Sequence, residues 1–203
     1  MVERRAVEDV NNTGTNRVIV AGLDMSYSGT GFFLKNEDTF DIKTIKTTPK
    51  TCANELLRIR YIVDSVMDRL PEPDKVSVIG LEDFYIPQSK LQMGSAMRLV
   101  MLGTTMRLAL YENGYSFYIP TANQIKKFAT GKGNCDKSIV VREVFKKWHI
   151  EAADDNQADA CAMAYMGLAI YDVLNGNDLD SWVKYQVETV KKVVKERPNF
   201  NLD

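Results

Sequence analysis

The sequence predicts an α/β fold: one central, mixed five-stranded sheet flanked by helices, with an extra C-terminal helix. Three observations carry that expectation. Strands come first, followed by a helix, a strand, a long helix, a strand and further helices. Two short apolar runs, one ending at Asp24 and one at Glu82, stop abruptly in a carboxylate. The remaining apolar residues recur at helical spacing. With 203 residues, 45% of them hydrophobic, the chain can close one domain around a full core.

Each element has its own signal. Residues 17–24 form an apolar run read as a strand buried on both faces. Ser28, Gly29 and Gly31 predict a hairpin turn into a second strand, 30–35. Residues 40–46 alternate Phe40, Ile42 and Ile45 with polar neighbours, as a third strand does. Leu56, Ile59, Ile62, Val63 and Val66 mark a helix over 54–70, ended by Pro71 and Pro73. Residues 76–82 repeat the opening design, a short strand ending in an acid. Residues 89–112 predict a long helix that is apolar on more than one face. Its Gly94 and Gly103 would let another helix approach, and it reads either as a core helix or as a core helix whose outer face is also a dimer seam. A last strand, 115–119, precedes helices over 120–128, 137–148, 155–174 and 180–196. The expected division is a loose polar tail over 1–16, one domain over 17–175 and a helical extension over 176–203.

Composition narrows the chemistry. The three cysteines, Cys52, Cys135 and Cys161, share no metal-site spacing and fit reduced thiols in a cytoplasmic setting. The single histidine, His149, follows Lys147 and Trp148 at a helix end, where a surface or packing role is expected. No apolar run is long enough to span a membrane. Any metal chemistry must therefore be carboxylate chemistry, which suits magnesium or manganese.

Acids recur at element ends. Asp24 and Glu82 would emerge at the same sheet edge if their strands are parallel neighbours. Asp155 and Asp159, four apart, share one helix face. Taken singly, each has an ordinary role: Asp24 in a turn, Glu82 paired with a lysine, Asp154 or Asp155 as a helix cap. Converging, four carboxylates would repel strongly unless divalent cations sat between them. A local basic segment follows: Lys126, Lys127, Lys132, Lys137, Arg142, Lys146 and Lys147 face only Asp136 and Glu143 in the same stretch. It would neutralise phosphates, or be a solvated helix face. Gly131 and Gly133 would let the backbone approach a phosphate.

These motifs together resemble the RuvC-like Holliday junction resolvases, a branch of the RNase H-like nucleases, over roughly residues 17 to 170. Gly22-Leu23-Asp24 with Gly29-Thr30-Gly31, Ile79-Gly80-Leu81-Glu82, the basic segment around Lys126 and Lys137, and Ala158-Asp159-Ala160 carry the resemblance. The Asp-Asp-Asn-Gln-Ala-Asp stretch and the tail look more like virus-encoded members, which would act in the host cytoplasm. The resemblance implies a homodimer that nicks four-way DNA junctions symmetrically, using two Mg²⁺ per site, with Mn²⁺ able to substitute. Asp24, Glu82 and Asp159 would be metal ligands. The fourth acid departs from the family spacing, because Asn156 stands there; Asp155 is the expected ligand and Asp154 the cap. Lys137 and Lys126 would lie near the scissile phosphate, and Lys127, Lys132 and Arg142 would bind DNA. Tyr85 would be an aromatic wedge at the junction centre, with Phe84 in the core. Two other classes compete. A module that binds branched DNA without cutting it would not need the acids. A sugar-kinase or actin-like ATPase shares the opening motif but needs a second copy of the fold.

Overall fold

Strand β1 (Val20–Asp24) sits in the middle of a single mixed sheet. The computed structural model describes residues 18–48, 50, 52–84, 90–196 and 199–200, so the 1–16 tail and Tyr85 lie outside the described residues. β2 (Gly29–Lys35) and β3 (Phe40–Lys46) continue the sheet on one side as antiparallel neighbours. β4 (Val78–Leu81) and β5 (Phe117–Tyr118) extend it on the other side in parallel. These five strands are the expected sheet. A two-residue strand, β6 (Asn199–Phe200), adds antiparallel to β5 and was not foreseen.

Helices cover both faces. On one face, α1 (Glu55–Met67) and α2 (Lys90–Glu112) bury Ile62, Val66, Leu102, Met106 and Leu110 against Leu23, Phe32, Ile79 and Leu81. On the other, α3 (Ala122–Thr130), α4 (Lys137–Trp148), α5 (Asp155–Leu174) and α6 (Lys184–Glu196) close a second core with Val20, Phe33, Val78 and Tyr118. Strand alternation explains the division: Ala21 and Leu23 face α1 and α2, and Gly22 faces α5, so Asp24, next in that row, projects to the α5 side. α6 is tied into the second core by buried Val190 and Val193. Trp182, just before it, donates its indole N–H to Asp172 at 2.8 Å.

Four glycines act differently from the sequence expectation. Gly29 and Gly31 lie inside β2, not in the turn, which is residues 25–28. A Cβ on Gly31 would stand 2.1 Å from the Asn156 carbonyl oxygen, and one on Gly22 1.9 Å from that of Ala160. Bare backbone on the sheet, facing the alanine-rich α5, lets the helix lie directly on the strands. Gly103 does not admit a second helix; its missing Cβ makes room for the Phe84 ring. Gly131 is the left-handed C-cap of α3, at φ 82°, beside the Tyr185 ring, so its need is structural.

Candidate active site

Parallel pairing of β1 with β4 sets the site. Leu23 pairs with Leu81, and the Glu82 amide donates to the Leu23 carbonyl, so Asp24 and Glu82 leave the sheet side by side. Asp24 is buried, with the Glu82 carboxyl close beside it. Burial first, then Glu82, then the charge of Asp159 hold the Asp24 carboxyl well above the usual carboxylate range. Asp159 is pushed up to about 6, by desolvation first and then by the Glu82 charge.

Helix α5 brings the other acids. Asp154 is its N-cap, accepting from the Gln157 amide at 2.9 Å and from the Thr44 hydroxyl at 2.7 Å. Its carboxylate is thus engaged with β3, as expected of a cap. Asp155 opens the helix and lies one turn from Asp159 on the same face. It is ion-paired with Lys137, the first residue of α4, and that bond holds its carboxyl below the ordinary value. The bond to Asp155, with the nearby charges of Asp159 and Asp24, raises Lys137 and keeps it an ammonium. Lys126 is also close enough to lower Asp159. The structure therefore gathers Asp24, Glu82, Asp155, Asp159, Lys137 and Lys126 at one sheet edge.

The rest of the basic segment divides. Arg142 and Lys147 both bond Glu143, at 3.2 and 2.6 Å, so part of their charge is spent within α4. Lys127 and Lys132 have no acid partner among the described residues. His149 caps α4 in a left-handed conformation at φ 56°, away from the acids. Phe84 is half-buried and not part of either core; the Arg107 guanidinium lies 4.2 Å from its ring centre. Arg107 also donates to Asp83 at 3.0 Å.

Sequence reasoning missed Arg107, because its partner is 24 residues away on another element. It ties the segment that follows Glu82 to α2. Replacing it by Leu should cost about 1.5–3 kcal/mol in urea unfolding, the worth of a hydrogen bond to a charged group. A loss below about 0.5 kcal/mol, the level of an exposed surface substitution, would show that the pair is idle.

The donor set suits a hard divalent cation. All the donors are carboxylate oxygens, with Asp24 buried, Asp159 half-buried and Lys137 paired to Asp155. Among the described residues no three acid, cysteine or histidine side chains already close on a common point. The turn of Asp155 toward Lys137 accounts for part of that openness.

Comparison with known proteins gives one consistent answer. The family model described as "Crossover junction endodeoxyribonuclease RuvC" matches residues 22–166. A curated relative, the crossover junction endodeoxyribonuclease RuvC of Chlamydia muridarum (strain MoPn / Nigg), is 29% identical over 172 residues, covering 77% of this chain and 95% of the relative. The solved structure of Thermus thermophilus RuvC shares the fold, with a TM-score of 0.57 at 18% identity over 78% of this chain and 97% of that one. T. thermophilus RuvC in complex with Holliday junction substrate is similar, with a TM-score of 0.56 at 19% identity over 78% and 96% of the two chains. The matched span runs from the β1 glycine through Asp24, Glu82, Lys137, Asp155 and Asp159, so the chain, with its acids at one sheet edge, belongs to the RuvC family of crossover junction endodeoxyribonucleases.

Proposed function

We propose that the protein is a divalent-metal-dependent endonuclease that resolves four-way DNA junctions by paired nicks, working as a homodimer with two Mg²⁺ per site. The observation that carries this is the placement of Asp24 at the end of β1, Glu82 directly after its parallel neighbour β4, and Asp159 on α5, at a single edge beside Lys137. Family membership supports the substrate class. Asp24, Glu82, Asp155 and Asp159 would hold the ions, with Mn²⁺ able to replace magnesium. Held by these acids, divalent ions would supply an activated water for in-line attack on phosphorus and charge stabilisation for the departing 3′ oxygen.

The chain's own groups do the rest. The Lys137 ammonium lies among the acids, and a phosphate entering the edge offers it a second anion. Lys126 adds positive charge from the adjoining helix. Lys127 and Lys132 contribute phosphate contacts further along the strand, and their binding weakens with salt. Arg142, shared with Glu143, makes the smallest such contribution. Tyr85 remains the proposed wedge at the junction centre.

The dimer seam follows from α2. Its inner residues Leu102, Met106 and Leu110 are fully buried, yet Met97 is 56% and Leu108 53% exposed on the same helix. α1, packed beside it, exposes Leu56 and Tyr61. Exposed apolar side chains in that number along one helical layer mark a protein contact. Two copies joined there would carry two equivalent sites, as a symmetric junction requires.

The test is a synthetic four-way junction incubated with the protein and Mg²⁺, read for linear duplex products. Intact junction at every enzyme concentration overturns the assignment. Met97→Glu together with Leu108→Glu should convert the dimer to monomer in light scattering and replace paired cleavage by single nicks or none. A dimer that withstands both charges places the seam on another surface.

A further inference from the structure

A second polar feature stands at the same sheet edge, across β1 from the acids. It is a cavity of about 730 Å³, within the range that holds a drug-sized ligand. Met25 and Ser26 line it, directly after Asp24, together with Tyr27 of the same turn. Arg58 of α1 and Arg98 and Leu99 of α2 form the opposite wall. Met25 belongs to the core on the α1 and α2 face, so the cavity and the carboxylates flank β1 from opposite sides.

The walls are held in place. The buried Thr30 hydroxyl donates to the Ser26 carbonyl at 2.7 Å. The Thr47 hydroxyl donates to the Tyr27 carbonyl at 2.6 Å. Arg58 donates to the Thr47 hydroxyl at 2.6 Å and to its carbonyl at 2.9 Å, with its guanidinium 4.4 Å from the Tyr27 ring centre. Arg58 is therefore committed to shaping the wall. Arg98 is different: it is exposed, donates to the Ser95 hydroxyl at 3.3 Å, and has no carboxylate partner among the described residues. Apolar Met25 and Leu99, the hydroxyls of Ser26 and Ser28, and two guanidinium groups against the single wall carboxylate of Glu55 suit a base with its phosphate.

We propose that this cavity is a nucleotide subsite, which receives the nucleotide of the cleaved strand next to the scissile phosphate on the side of the dimer seam, with Arg98 on its phosphate. The side follows from the architecture. α2 is at once a wall of the cavity and the proposed seam, whereas Lys126 and Lys137 lie on the α5 face of the sheet. The strand thus enters over the lysines, crosses the acids at the end of β1 and leaves over the turn into the cavity, toward the junction centre. This rests on the junction-cleaving reading above.

The experiment measures binding and cleavage separately. Junctions carrying one neutral methylphosphonate, at each linkage within three of the crossover in turn, are titrated with wild type and with Arg98→Gln in metal-free buffer by fluorescence anisotropy. Arg98→Gln should weaken binding about tenfold, as loss of a charge-assisted phosphate contact does. One neutral linkage should weaken wild type by a similar factor and have no further effect on the variant. Cleavage of the unmodified junction with Mg²⁺ then maps the cut, which should adjoin that linkage on its outer side.

Effects that multiply at every linkage overturn the subsite, and that is also the result if Arg98→Gln acts only by loosening the dimer. Coupling on the far side of the cut overturns the path. Coupling in a protein that binds but never cuts keeps the cavity as a DNA-phosphate site and removes the resolvase reading. Absence of any junction binding removes both.

Discussion

Asp24→Asn is expected to abolish junction cleavage, by on the order of 10³-fold or more, while the protein still folds and still binds the junction. Asp24 is the acid at the end of the central strand, buried beside Glu82. The amide keeps the shape and can still donate to the Glu82 carboxylate. It removes the charge that a divalent ion needs. Its fold should survive because the native carboxyl already stands well above the usual range, so a neutral group at that place relieves repulsion. Binding should be unchanged or tighter, since one negative charge facing the phosphates is gone. Gel-shift and cleavage assays on the same junction separate the two. Cleavage by Asp24→Asn within tenfold of wild type would remove Asp24 from the chemistry.

Asp159→Asn is expected to stabilise the metal-free protein by about 1–3 kcal/mol near pH 7.5, at the expense of activity. Asp159 is held at about 6 in the folded chain, against an ordinary value of 3.8. The folded state therefore binds its proton more tightly than the unfolded state does. Below pH 4 both states carry the proton and Asp159 carries no penalty. As pH rises to 6 the unfolded chain ionises first, and wild type loses stability. Above 6 the loss is complete. The variant escapes that loss, so its advantage should grow between about pH 4 and pH 6, be complete above that, and vanish near pH 3.5.

Magnesium should act in the opposite sense. An ion that binds only the folded acids adds about 2.7 kcal/mol at a hundredfold excess over its Kd. That gain should be large in wild type and reduced in Asp159→Asn. Thermal melts at pH 3.5, 5 and 7.5, with and without Mg²⁺, test both halves. A constant difference between the two proteins at all three pH values would show that Asp159 is not a strained carboxylate.

Much of the site was legible because its acids stand where strong local signals end. The runs before Asp24 and Glu82 are continuous and apolar, and a charge after such a run is unusual enough to notice. Asp154 was readable as a cap, since the cap position is a local property of the helix start. Gly29 and Gly31 were misread as turn residues for the same local reason: glycine marks turns and close packing alike, and only the position of α5 tells them apart. Arg98 and Arg58 gave no signal, because nothing near them in the chain announces a cavity built from a turn and two helices.

The sequence by itself determined the element types, the two acid-terminated strands, the cap and the amphipathic or doubly apolar character of the helices. These depend on residues a few positions apart, where spacing alone decides which side chains share a face. Only the tertiary structure decided that β1 and β4 are parallel neighbours, that α5 lies against bare glycine backbone, and that Lys137 closes on Asp155. Those contacts join residues far apart in the chain, and the packing of whole layers selects them.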